Sequence, residues 1–89
     1  MNFEWDESKA RTNQRKHSVS FSEAIEVFAD EYSSFVRDPD HSYEEDRYLL
    51  FGLSSKGKYI VVSFTERLDT VRIISARRMT RQERKAYEQ

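Results

Sequence analysis

Residues 70–87, TVRIISARRMTRQERKAY, set the tightest limit on how this chain folds. They begin as an alternating apolar strand, with Val71 and Ile73 on one side and Ile74 and Ala76 on the other, pass through Arg77 and Arg78, and open a helix at Thr80. Thr80 and Glu83 have the T-x-x-E spacing of a capping box, in which each side chain satisfies an orphan backbone N–H of the first turn. Between residues 70 and 89, six cations (Arg72, Arg77, Arg78, Arg81, Arg84, Lys85) face two anions (Glu83, Glu88), a local charge of +4 in a chain whose total is -1.

With 89 residues there is one small core to build, because a second could not bury enough apolar surface to offset its own chain entropy. Six Phe, five Tyr and one Trp supply large apolar areas for it. The chain has no cysteine and only two histidines, far apart. Disulfides and thiolate zinc sites are therefore excluded, no metal or other cofactor is expected, and a reducing cytoplasm fits. No apolar run reaches the ~18 residues of a membrane span, and MNFEWDESK lacks the order of a secretory signal. Residues 22–46 carry nine acids against Arg37 alone, a local charge of -8. One surface should be acidic and another basic, which suits a polyanionic ligand on one side and a basic partner on the other; two merely solvated faces are the plainer reading.

Phe3 and Trp5 alternate with polar neighbours in a very short extended segment. Asp6 is a good N-cap for a helix running to about His17, yet Lys9, Asn13, Lys16 and His17 recur where an amphipathic helix would place Leu or Ile. Ser20 and Glu23 form a second capping box, and Phe21, Ala24, Ile25 and Phe28 give that helix a core stripe until it frays near Asp30. Strand composition follows at 32–36, then the breaker Asp38-Pro39-Asp40 and an acidic loop through Glu44 to Asp46. Segments 47–53, 58–65 and 70–76, joined by short turns, are antiparallel neighbours. The expected architecture is α+β in one domain: two N-terminal helices on an antiparallel sheet of about four strands, closed by a C-terminal helix.

Gly52 and Gly57 are the only glycines, so phosphate-binding glycine loops are missing, as are G-x-S-x-G, H-E-x-x-H and a calcium loop. The basic cluster is the remaining chemistry. Arg72, Arg77 and Arg78 converging on one patch can bind phosphates and stabilise charge on a pentavalent phosphorus without titrating. RNA cleaved by its own 2′-hydroxyl needs orientation, proton acceptance and a stabilised leaving oxygen, so it needs no metal. Glu66 and Tyr87 are the nearest candidates for proton transfer, Lys16 and His17 for a general acid, and Arg67, Arg81, Arg84 and Lys85 for RNA contacts. Plainer roles compete with these: ion pairing for Arg72, packing of the last helix for Tyr87, and capping of helix carbonyls for His17.

Phe3-x-Trp5-Asp6, Lys9, Asn13, Lys16-His17-x-Val19, Phe21, Glu23-Ala24, Val27-Phe28, Arg47, Arg72-Ile73-Ile74-Ser75-Ala76-Arg77-Arg78, Glu83-Arg84 and Tyr87, in this order and spacing, resemble the BrnT toxin family. The resemblance spans nearly the whole chain. It implies a fold like that of the RelE ribonuclease toxins, and RNA cleavage, on or off the ribosome, that inhibits translation. It also implies a BrnA-type antitoxin that forms a heterotetramer with the toxin and alone brings operator-DNA binding. The family usually has Gly where Ser18 stands; Gly would end the first helix in a left-handed turn, which Ser adopts at a steric cost. The sequence thus reads as a cytoplasmic, metal-independent ribonuclease toxin of a type II toxin-antitoxin pair. The alternative is a non-catalytic module whose basic patch docks RNA or protein.

Overall fold

The computed structural model describes residues 1–43 and 45–89; Glu44, part of the expected acidic loop, lies outside the described residues. The strands are β1 (Asn2–Glu4), β2 (Ser34–Arg37), β3 (Tyr48–Leu53), β4 (Tyr59–Arg67) and β5 (Thr70–Arg78). Helices α1 (Glu7–His17) and α2 (Phe21–Val27) lie between β1 and β2, a 3₁₀ turn at Pro39–His41 follows β2, and α3 (Arg81–Tyr87) follows β5. All three α-helices start at the caps read from sequence, Asp6, Ser20 and Thr80, and the last two close complete capping boxes.

The strands form one five-stranded sheet in the order β1-β5-β4-β3-β2. Pairing from β2 through β5 is antiparallel, as expected. The difference is β1: the segment around Phe3 is a fifth strand and runs parallel to β5, with Phe3 beside Val71 and Glu4 beside Arg72. Its alternation is too short to separate from a loop by pattern. Its direction follows from α1 and α2, which carry the chain across the sheet before β2 begins at the far edge.

A second difference decides which side chains share a face. Between the pairs Ser63↔Ser75 and Phe64↔Ile73 the register slips by one, leaving Ile74 as the extra residue of a bulge. Strict alternation sets Ala76 opposite Val71 and Ile73. The bulge returns it to their side, and all three are buried in one core with Val19, Phe21, Ala24, Val27, Leu50, Ile60, Val62 and Phe64. Edge-to-face contacts of Phe3 with Phe28 and of Phe28 with Phe64, each at 5.1 Å, close this core over β1.

Asn13, the one buried residue of α1, explains the polar stripe of that helix. Its Nδ2 donates to the carbonyls of Val19 (2.9 Å) and Ala76 (2.8 Å), and its Oδ1 accepts from the N–H of Ala76 (3.0 Å). β1 ends beside Arg72, so the outer edge of β5 beyond it has no strand partner. The amide of Asn13 stands in for one.

Candidate functional site

Directly paired residues point to the same face of a sheet. The face turned away from α1 and α2 therefore carries in its middle the rows Ser34, Phe51, Val61 and Arg77; then Val36, Leu49, Ser63 and Ser75; then Thr65, Arg72 and Glu4, flanked by Leu53 with Tyr59 at one end and by Arg67, Thr70 and Asn2 at the other. α3 lies over the first row. The Arg84 guanidinium sits 4.1 Å from the centroid of the Tyr59 ring, Tyr59 meets Tyr87 edge to face, and Val61 is buried. In the third row Thr65 is buried, its hydroxyl donating to the Asp46 carbonyl at 2.7 Å. Between them Leu49, Ser63 and Ser75 form a half-buried strip.

Arg72 and Arg77 share this face because of the bulge, one at each end of the strip. They pair with Thr65 and Val61, four steps apart on β4, so their backbones stand about 13 Å apart at ~3.3 Å per residue. Each is held by a carboxylate. Arg72 donates to Glu4 on the neighbouring strand at 2.6 Å. Arg77 grips both oxygens of Glu83 at 2.8 and 2.9 Å and donates to the Arg78 carbonyl at 3.2 Å. That grip, with the capping bond from Thr80, holds the Glu83 carboxyl at about 2 and pushes the Arg77 guanidinium up. Arg72 keeps most of its N–H fork free for an incoming anion, whereas Arg77 keeps little. Arg78 pairs with Ile60 and Glu66 with Val71, so both lie on the opposite face from Arg72 and Arg77.

Lys16 and His17 come to the strip from the side. They line a cleft of about 260 Å³ between α1 and the bulge, together with Lys9, Thr12, Ile74 and Ser75. Two local features build it. Asn13 ties α1 to Ala76, and Ser18 takes the left-handed conformation (φ 57°, ψ 32°) with its N–H on the Gln14 carbonyl, stopping the helix directly after His17. Ser75 belongs to both the cleft and the strip. Sequence reasoning passes over Ser75 as a site residue, and the signal available was a serine in the middle of an otherwise apolar strand.

The remaining candidates lie further out. The Tyr87 hydroxyl donates to Asp30, whose Oδ2 also accepts the Leu53 N–H at 2.9 Å. Burial and the Asp30 charge push Tyr87 up to about 12, so at neutral pH it is a donor and not a base. Arg81, Arg84 and Lys85 are exposed along α3. Arg67 pairs with Glu45 at 3.3 Å beside a cavity of about 500 Å³ that His41, Tyr43 and Arg47 also line. Among the described residues no three His, Asp or Glu side chains are grouped to hold a metal ion, and no helix is long and apolar enough to cross a membrane.

Fold and site together define a small α+β domain whose sheet is closed by two helices on one face and bears arginines around a polar strip on the other. Residues 5–83 match the family model described as the ribonuclease toxin, BrnT, of type II toxin-antitoxin systems. The chain belongs to this family, which implies an antitoxin as partner. It is similar to the crystal structure of the Brucella abortus ribonuclease toxin, BrnT, at 28% identity over 91% of this chain and 99% of that one, with a TM-score of 0.67. No curated protein matches the chain.

Proposed function

We propose that this chain cleaves RNA through the substrate's own 2′-hydroxyl without a metal ion, thereby inhibits translation, and is neutralised by a BrnA-type antitoxin. The observation that carries the reading is the place of Ser75. It lies on the open face between Arg72 and Arg77 and also lines the cleft with Lys16 and His17. RNA laid along β5 has phosphates near each arginine and the scissile one over Ser75. The 2′-hydroxyl gives its proton to the His17 imidazole and its oxygen attacks phosphorus. The bond to the 5′-oxygen then breaks, and Lys16 protonates the leaving oxygen, yielding a cyclic phosphate and a 5′-hydroxyl. Arg72 and Arg77 stabilise the charge on either side, and Arg67, Arg81, Arg84 and Lys85 extend the cationic track. Glu66 lies on the other face and the Tyr87 hydroxyl is engaged by Asp30, which leaves proton transfer to Lys16 and His17.

A binding module is the second reading, favoured by the carboxylate partners of Arg72 and Arg77. End-labelled RNA with excess chelator separates the two. The nuclease reading expects cleavage to persist in chelator and to fall by about 10²–10⁴ in a folded Lys16→Ala/His17→Ala variant, with a comparable loss in Arg72→Ala/Arg77→Ala. Intact RNA bound in a steeply salt-dependent way, in the presence of ribosomes, would overturn it in favour of the module.

A further inference from the structure

We propose that the outer edge of β2 is the docking edge for the antitoxin, which adds an extended, basic, alternately apolar segment to the sheet as a sixth strand. The inference rests on the reading that an antitoxin neutralises this chain, and it concerns a surface at the opposite sheet edge from the cationic track. The two sheet edges are treated differently. On one side the edge strand, β1, is only three residues long, and beyond it the edge of β5 is closed by the Asn13 amide. On the β2 side no described residue covers it. Among the described residues none of the backbone groups of 34–37 bonds outside the ladder with β3, all four residues are exposed, and the strand holds no Pro or bulge; its one charge, Arg37, stands at its end and is taken up by Asp46 at 3.0 Å.

Its side chains point to recognition and not to a solvated strand. Phe35 and Val36 are 64% and 52% exposed, and Tyr32, just before the strand, is 76% exposed. Val36 looks into a groove of about 280 Å³ between the sheet and α3, lined also by Ser34, Phe51, Ala86 and Tyr87. Phe35 lies on the other face against Tyr48. A strand laid beside β2 would send alternate side chains into that groove and onto Phe35. Charge selects the occupant. Residues 30–46 hold seven acids and Arg37, a net charge of -6. A second copy pairing here would set -6 against -6, and RNA would be repelled, whereas a basic segment is attracted.

The test uses a BrnA-type antitoxin as the probe, and hydrogen exchange on the native complex together with a Phe35→Lys/Val36→Lys variant. Amides 34–37 should become protected on complex formation. The variant should bind at least 100-fold more weakly while cleaving labelled RNA as the native chain does, and Leu68→Lys, on the fully exposed β4–β5 turn, should bind normally. Unchanged exchange at 34–37, or a variant Kd within threefold of native, would overturn the proposal. So would a dimer of the toxin alone that the variant dissociates with no effect on antitoxin affinity. If the native chain cleaves no RNA yet binds the antitoxin through β2, the nuclease reading fails and the docking edge stands.

Discussion

Asn13 is the residue on which both the fold and the proposed site depend, and replacing it by Leu tests the two at once. Leu has a similar volume but leaves three buried backbone groups without partners, the N–H and carbonyl of Ala76 and the carbonyl of Val19. An unsatisfied buried group costs about 1–3 kcal/mol, so Asn13→Leu should lose about 3 kcal/mol even at the low end of that range. For a chain of this size that is a fall in Tm of roughly 12–24 °C. Asn13→Asp is the sharper case. Its carboxylate can still accept from the Ala76 N–H but faces two carbonyl oxygens, so the folded state favours the protonated acid and raises the pKa above the unfolded value. The native state then binds a proton that the unfolded chain has released, and stability falls as pH rises between the two pKa values. Thermal unfolding of Asn13→Asp from acid to neutral pH should show that fall relative to native. A loss under 1 kcal/mol for Asn13→Leu, or an Asn13→Asp variant as stable as native at neutral pH, would refute the edge-partner reasoning.

Ser18 and Leu68 both sit at φ 57° without being glycine, so Ser18→Gly and Leu68→Gly should each raise stability by up to about 1 kcal/mol, seen as a higher urea midpoint at unchanged slope. Gly52→Ala should destabilise by about 1–3 kcal/mol, because a Cβ there would meet Val27 Cγ1 at 2.8 Å and Asp30 Oδ2 at 2.9 Å; the same denaturation curve reads it. The Glu83 carboxyl, lowered from 4.5 to about 2 chiefly by Arg77, contributes stability that is present above the unfolded pKa and is lost as pH falls toward 2. Allowing for solvent screening, this is on the order of 1–2 kcal/mol, and Glu83→Gln should flatten the acid limb of the Tm profile.

The caps and the core stripe of α2 were legible because they depend on neighbours three or four residues away. The bulge at Ile74 was not. It arises from the mismatch of two long strands 12 residues apart in pairing and leaves no local mark, yet it decides that Ala76 is core and that Arg72 and Arg77 share a face. The polar side of α1 was visible as an anomaly, but its cause is a bond across 63 residues to Ala76. The arginines were legible as a group and not in their geometry: sequence spacing brings Arg72, Arg77 and Arg78 together, while strand rise sets the backbones of the first two about 13 Å apart and pleating turns Arg78 to the other face.

The charge asymmetry read from the sequence becomes a spatial one along a single row of the sheet. The row runs Val36, Leu49, Ser63, Ser75 across β2, β3, β4 and β5, with the acidic edge at one end and Lys16, His17 and the arginines near the other. Three interstrand steps of ~4.8 Å make this about 14 Å, a span that four or five extended residues cover. A partner held at β2 by its backbone is therefore close enough for a short continuation of its chain to lie over Ser75. If the antitoxin docks at β2 as proposed, steric occlusion of the strip and electrostatic capture at the acidic edge would belong to one continuous segment.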